Sequence, residues 1–224
     1  MVQEPPKKRL LIKQPGRHGD IIICLPIARY YSNEFDVFWH CPDEYHSMFS
    51  YVDYCTPVSK DSGGYDLIID LAFGFGGKPE EWWQKTKSTW DSFVSAKYHL
   101  ADVPLEEKWN LHWNRDKGRE DKLYGLVVGK EKYIVVHDCS STGTFQLNID
   151  SEFDVIKFSP IEDYTVFDWY KVLMNAEEIH CVDSLLLTFS DACISGPKKI
   201  FHNVRHSNET LNCLIKKDQW EVMS

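Results

Sequence analysis

The sequence predicts an α/β protein made of two small halves, each a parallel β-sheet flanked by helices. Short runs rich in β-branched and aromatic residues alternate along the 224 residues with longer helical stretches, the pattern that builds βαβ units. Their β-branched and aromatic content and their brevity fit buried parallel strands. The alternation stops between about Ala101 and Arg115, where Pro104, Trp109 and Trp113 stand. A boundary is therefore expected at Pro104 to Glu106, giving domains 1–105 and 106–224.

The expected strands are residues 9–13, 36–40, 65–71, 133–137, 154–159, 179–182 and 199–202. The helical stretches between them are 21–32, 80–100, 116–128, 167–176, 185–193 and 209–217. Pro26 falls inside the first helix and lacks an N–H. Either the helix kinks there, or its regular part starts at Leu25 with Pro26 in the first turn. Trp83 and Trp90 share a face of the second helix and read as core, with Glu80 and Glu81 in its first turn. Leu211, Leu214 and Ile215 give the last stretch an apolar face. That helix is expected to pack back on the first domain.

Composition excludes several functions. Net charge is −9 with no basic stripe, so nucleic acid is not an expected partner. No apolar run approaches the roughly 18 residues of a membrane span. Residues 1–9 lack the apolar stretch of a signal peptide and read as a short tail. Seven cysteines stand singly with no CxxC pair, as in a reducing compartment. A cytoplasmic protein is expected. The nine histidines include no HExxH, and no metal site is expected.

Parallel sheets bind ligands beyond the carboxyl ends of their strands, where unpaired amides and the helix dipole favour anions. Four loops lie there. The first, Gln14 to Asp20, leads into an apolar helix without a dinucleotide or P-loop fingerprint. Asp20 has two readings, a helix N-cap or a carboxylate able to take a proton. His18, in the same loop, is a candidate for positioning substrate. The second loop holds Asp183 and Ser184 ahead of the apolar run 185–192. A hydroxyl and open amides suit a diphosphate there, and Asp183 suits a sugar hydroxyl or a helix cap. The third loop, His137 to Thr144, contains Ser140, Ser141 and Thr142 and reads as an anion cradle or a plain polar loop. The fourth, residues 73–78, is rich in glycine and phenylalanine. Its aromatics suit stacking on an acceptor, and its glycines equally suit a lid.

Two of these loops carry a family resemblance. RHGDIIICLPIARYY at 17–31 resembles the first loop and helix of the ADP-heptose heptosyltransferases and their relatives, glycosyltransferases of the GT-B fold. NAEEIHCVDSLLLTFSDA at 175–192 resembles their second signature, a strand followed by Asp-Ser or Asp-Thr and a helix. The resemblance implies two Rossmann-like domains facing each other, with the active site in the cleft between them. It implies an inverting transfer of a sugar from a nucleotide sugar to an acceptor hydroxyl, without metal or other cofactor. Asp20 is then the general base, with His18 beside it. Ser184 and nearby amides bind the diphosphate next to Asp183, and Ser140, Ser141 and Thr142 hold the donor phosphates from the other side. Arg17 and Gly19 join the donor-binding set. The implied partners are a nucleotide sugar and a glycan or other hydroxyl acceptor, with peripheral membrane contact where that acceptor is lipid-linked.

The chain departs from the family pattern in three ways. It is shorter, and Ser184-Leu185-Leu186-Leu187 replaces the usual glycine and His-Leu-Ala run. No lysine lies within the third loop, so Lys157, Arg17 or His18 is the available cation. Two other functions therefore stay open, a non-catalytic nucleotide-binding module and a sugar-nucleotide epimerase or hydrolase.

Overall fold

The computed structural model describes residues 6–72, 93–204 and 214–223. The chain divides into two compact units, Met1–Asn114 and Arg115–Ser224. Both are α/β with parallel main sheets. No helix among the described residues is long and apolar enough to cross a membrane.

The first unit begins with β1 (Lys8–Lys13), which takes in the last two residues expected to lie in the tail. Leu10, Leu11 and Ile12 are fully buried, as residues of a central strand must be. Then come α1 (His18–Tyr31), β2 (Phe35–His40), a 3₁₀ segment (Asp43–Tyr51), β3 (Thr56–Val58), β4 (Leu67–Asp70) and α2 (Phe93–Leu100). The sheet order is β3-β2-β1-β4. β3 carries no sequence signal because it is three residues long and contains Pro57. A missing N–H is tolerated at a sheet edge.

α1 runs unbroken through buried Pro26, which is neither at a start nor in a first turn. Tyr98 Oη donates to the Ile23 carbonyl at 2.7 Å, beside the stretch where proline removes a backbone donor. The segment after Pro104 also belongs to the first unit. Arg29 Nη1 donates to Asn110 Oδ1 at 2.7 Å, Tyr54 Oη to the His112 carbonyl at 2.8 Å, and the Asn114 amide to the Tyr51 carbonyl at 2.6 Å. These long-range bonds put the division at Asn114/Arg115 rather than at the prolyl break. The glycine-rich loop at 73–78 and residues 80–92, with Trp82, Trp83 and Trp90, lie outside the described residues.

The second unit contains α3 (Lys117–Val127), β5 (Tyr133–His137), a small antiparallel hairpin of β6 (Cys139–Ser140) and β7 (Gly143–Thr144), and β8 (Asp154–Lys157). A 3₁₀ turn (Val166–Trp169) runs into α4 (Tyr170–Met174), followed by β9 (Glu178–Cys181), α5 (Leu185–Cys193), β10 (Lys198–His202) and β11 (Glu221–Met223). The sheet order is β11-β10-β9-β5-β8. Asp116 caps α3 by accepting from the Arg119 amide at 3.0 Å.

Of the expected last helix, residues 209–213 lie outside the described set. The chain beyond them makes a 3₁₀ turn (Lys217–Gln219) and then β11. Trp220 Nε1 donates to Asp191 Oδ1 at 2.8 Å, and buried Lys199 Nζ reaches Gln219 Oε1 at 3.0 Å and the Ile194 carbonyl at 2.9 Å. The lysine thereby meets carbonyls at the α5 C-terminus, where the dipole favours a cation.

Each sheet has one place where strand order reverses. In the first, the chain runs outward from β1 through β2 to β3, then returns to β4 on the other side of β1. In the second, it runs from β5 to β8, then crosses to β9 and on outward. The carboxyl ends of β1 and β4, and of β5 and β9, are the switch points at which open parallel sheets bind ligands.

Candidate functional site

At the switch point of the first unit, the loop after β1 is fixed by Gln14, which is fully buried. Its carbonyl accepts from Trp39 Nε1 at 3.0 Å, and its Nε2 donates to the Gly16 carbonyl at 2.5 Å. Its Oε1 accepts from Lys97 Nζ at 2.5 Å, and Lys97 also donates to the Leu71 carbonyl at 3.2 Å. Residues after β1, after β4 and on α2 therefore meet at one point. A Cβ at Gly16 would stand 3.1 Å from the Tyr45 ring, so a larger residue there requires the ring to give by a few tenths of an ångström.

Asp20 is the third residue of α1, and Arg17 is the N-cap, contributing no side-chain bond. The cap reading of Asp20 is thereby corrected: the helix starts three residues earlier than a cap at Asp20 requires. An acid in a first turn still suits the dipole. Asp20 Oδ1 lies 3.8 Å from Lys97 Nζ; the carboxylate is about a quarter exposed and the lysine fully buried. One turn on, burial pushes the Cys24 thiol up to about 12, so it stays protonated and inert. His18 packs edge-on against Tyr45 at 5.0 Å. Partial burial lowers its pKa, with Glu44 acting the other way. Arg17 is exposed and Gly19 half-buried.

At the second unit's switch point, His137 ends β5 and Ser184 precedes α5. His137 Nδ1 and Ser184 Oγ are 2.8 Å apart. Ser184 occupies the N-cap position of α5 yet makes no side-chain cap bond. Burial lowers His137 to about 4, with Asp138 opposing weakly, so the ring is neutral at neutral pH. Asp183 beside Ser184 is half-buried. Lys157 Nζ, at the end of β8, reaches Asp138 Oδ2 at 2.8 Å. That bond holds the Asp138 carboxyl below its usual range.

The expected cradle is the turn of the β6–β7 hairpin. Ser140 Oγ lies 2.8 Å from Thr142 Oγ1 and accepts from the Thr142 amide at 3.1 Å. Ser141 and Thr142 are exposed. No hydrogen bond joins this turn to Ser184 among the described residues.

Gln14, Lys97, His137 and Asp138 were given no role by the sequence reading, although Gln14, His137 and Asp138 lie in its first and third loops. Lys97 was visible as a lone cation in the apolar run Phe93 to Tyr98, and His137 as the last residue of a strand. A concavity lined by Lys130, Glu131, Lys132, Glu152, Phe153 and Asp154 opens at the amino ends of β5 and β8. That is the end of a parallel sheet opposite the one that binds ligands. Among the described residues, no group of three or more His, Cys, Asp or Glu side chains is placed to hold a metal ion.

No protein-family model matches the chain, and no curated protein matches its sequence. Solved structures do share its fold. A glycosyl transferase family 9 protein from Veillonella parvula matches 90% of this chain and 83% of its own at 9% identity, with a TM-score of 0.59. The ADP-heptose LPS heptosyltransferase II of E. coli matches over 96% and 90% at 10% identity, with a TM-score of 0.50. An iron-containing dodecameric glycosyltransferase, TibC, of enterotoxigenic E. coli matches 87% of this chain and 58% of its own at 13% identity, with a TM-score of 0.52. The fold is thus GT-B-like, the fold of family 9 glycosyltransferases. Identities this low establish the fold alone.

Proposed function

We propose that the chain is a glycosyltransferase moving a sugar from a nucleotide-sugar donor to an acceptor hydroxyl, with inversion and without a metal. The single observation that carries this reading is the placement of the two loops. Asp20 stands at the strand-order reversal of the first sheet, and Ser184 at that of the second. The first unit is read as the acceptor side and the second as the nucleotide-sugar side.

In this reaction the acceptor oxygen attacks the anomeric carbon and forms the new C–O bond. The bond from that carbon to the diphosphate oxygen breaks, and its electron pair leaves with the nucleoside diphosphate. Asp20 takes the acceptor proton. Ser184 and the amides opening α5 meet the leaving charge. Asp183 is read as bonding a donor hydroxyl, and Arg17, His18, Gly19, Ser140, Ser141 and Thr142 as flanking the substrates. Lys157, already paired with Asp138, is a more distant cation available to the donor loop. The acceptor is a glycan or another hydroxyl compound, lipid-linked where the reaction is made at a membrane surface, and the compartment is the cytoplasm.

The test pairs a thermal-shift panel of nucleoside diphosphates and their sugars with a turnover assay. Asp20→Asn is expected to keep donor-induced stabilisation and lose at least about 100-fold in transfer rate. Normal turnover by that variant removes Asp20 from the base role. Stabilisation of the wild type without turnover supports a binding module instead. Donor consumption without acceptor supports a hydrolase or epimerase.

A further inference from the structure

A serine at a helix N-cap ordinarily accepts a bond from the amide two or three residues on. Ser184 has the extended backbone of an N-cap (φ −161°, ψ 176°) and makes no such bond. Its hydroxyl lies instead 2.8 Å from His137 Nδ1. The first backbone bond at this end runs from the Thr188 amide to the Ser184 carbonyl, at 3.2 Å. The amides of Leu185, Leu186 and Leu187 take no partner among the described residues.

Phe158 packs edge-on against the imidazole at 4.9 Å, and the backbone of the residue is fixed by its carbonyl, which accepts from the Val182 amide at 3.1 Å. His137 ends β5 and Ser184 follows β9, so the pair bridges the two strands of the switch point.

We propose that His137 is a positioning residue that draws the Ser184 hydroxyl off its own helix, leaving the amides of Leu185, Leu186 and Leu187 open to a nucleoside diphosphate. The inference rests on the donor-site reading above and adds a residue to it. A neutral ring that donates through Nδ1 to Ser184 Oγ leaves the serine proton for a phosphate oxygen. Without the ring, the hydroxyl is expected to return to its own helix and compete with the ligand for the same amides.

The test is calorimetric titration of the full chain with ADP, UDP and GDP, using wild type and His137→Leu, His137→Asn, His137→Gln, Ser184→Ala and His137→Leu/Ser184→Ala. Circular dichroism confirms that each variant is folded. His137→Leu is expected to weaken the best-binding nucleotide about tenfold. His137→Asn restores most of that affinity, because its amide nitrogen falls where Nδ1 was; Gln, whose amide falls nearer Nε2, does not. The double variant is expected to bind no more weakly than Ser184→Ala, because the ring acts through the hydroxyl. Wild-type affinity in folded His137→Leu overturns the proposal, and so does equal rescue by Gln and Asn. A full tenfold further loss in the Ser184→Ala background also overturns it, because the ring then touches the ligand itself. Absence of binding by the wild type to all three nucleotides fails the donor-site reading and this inference with it.

Discussion

Lys97 Nζ stands 3.8 Å from Asp20 Oδ1, the lysine sealed from solvent and the carboxylate open to it. The ammonium also meets neutral oxygens, Gln14 Oε1 at 2.5 Å and the Leu71 carbonyl at 3.2 Å, and the Phe93 ring at 4.6 Å. Both loop oxygens stand closer to the ammonium than the carboxylate does.

This ranking has a measurable consequence. Lys97→Met strips a donor from two buried oxygens and is expected to cost about 2 kcal/mol. Asp20→Asn removes only a longer, partly solvated interaction and is expected to cost under about 1 kcal/mol. Urea denaturation of both variants checks the order; a larger loss for Asp20→Asn contradicts it.

His137 makes stability depend on acid. Its pKa falls from the ordinary 6.5 to about 4 on folding, chiefly through burial. The unfolded chain therefore takes up a proton that the folded chain refuses. This contribution is fully present above pH 6.5 and is lost as pH falls towards 4, by about 3 kcal/mol at most. His18 and His202 are shifted the same way and add to the slope. Urea midpoints between pH 7.5 and 4.5 should fall less steeply for His137→Asn than for wild type.

Trp220 ties the chain's last strand to α5. Its indole N–H donates to Asp191 Oδ1, which also accepts from the Lys216 amide at 3.0 Å, and Asp191 is buried. Trp220→Phe keeps the packing and loses one bond to a charged acceptor, an expected cost of about 2 kcal/mol. Trp220→Ala also empties the site and should cost about 4 kcal/mol. Equal losses, read by thermal melting, would show that the hydrogen bond contributes everything and the ring nothing.

Asp168 is fully buried in the turn that opens α4, where it and Thr165 form a capping box. Arg119 Nε donates to Asp168 Oδ1 at 3.0 Å. Removing the guanidinium in Arg119→Ala leaves a buried carboxylate without its cation, and about 3 kcal/mol should be lost. Asp168→Asn in the same background should recover part of the loss, since a neutral amide needs no counter-charge. A double-variant melt reads this directly.

The sequence by itself determined the elements that local pattern controls. The apolar runs at β1 and β5, the apolar helix after β1 and the Asp183-Ser184 turn ahead of an apolar helix were all legible, although α1 starts three residues before its expected start. Burial on both faces leaves its mark on consecutive residues, and a helix start leaves its mark within one turn. Tertiary structure alone decided β3 and β11, each three residues long. It also decided the division at Asn114, set by bonds from distant side chains. The contacts of Lys97 with Gln14 and of His137 with Ser184 span 83 and 47 positions of sequence. Such pairs meet because strand order brings the ends of β1 and β4, and of β5 and β9, side by side. Local pattern reports what lies within a turn or a pleat of each residue, whereas strand order follows from how the whole chain packs.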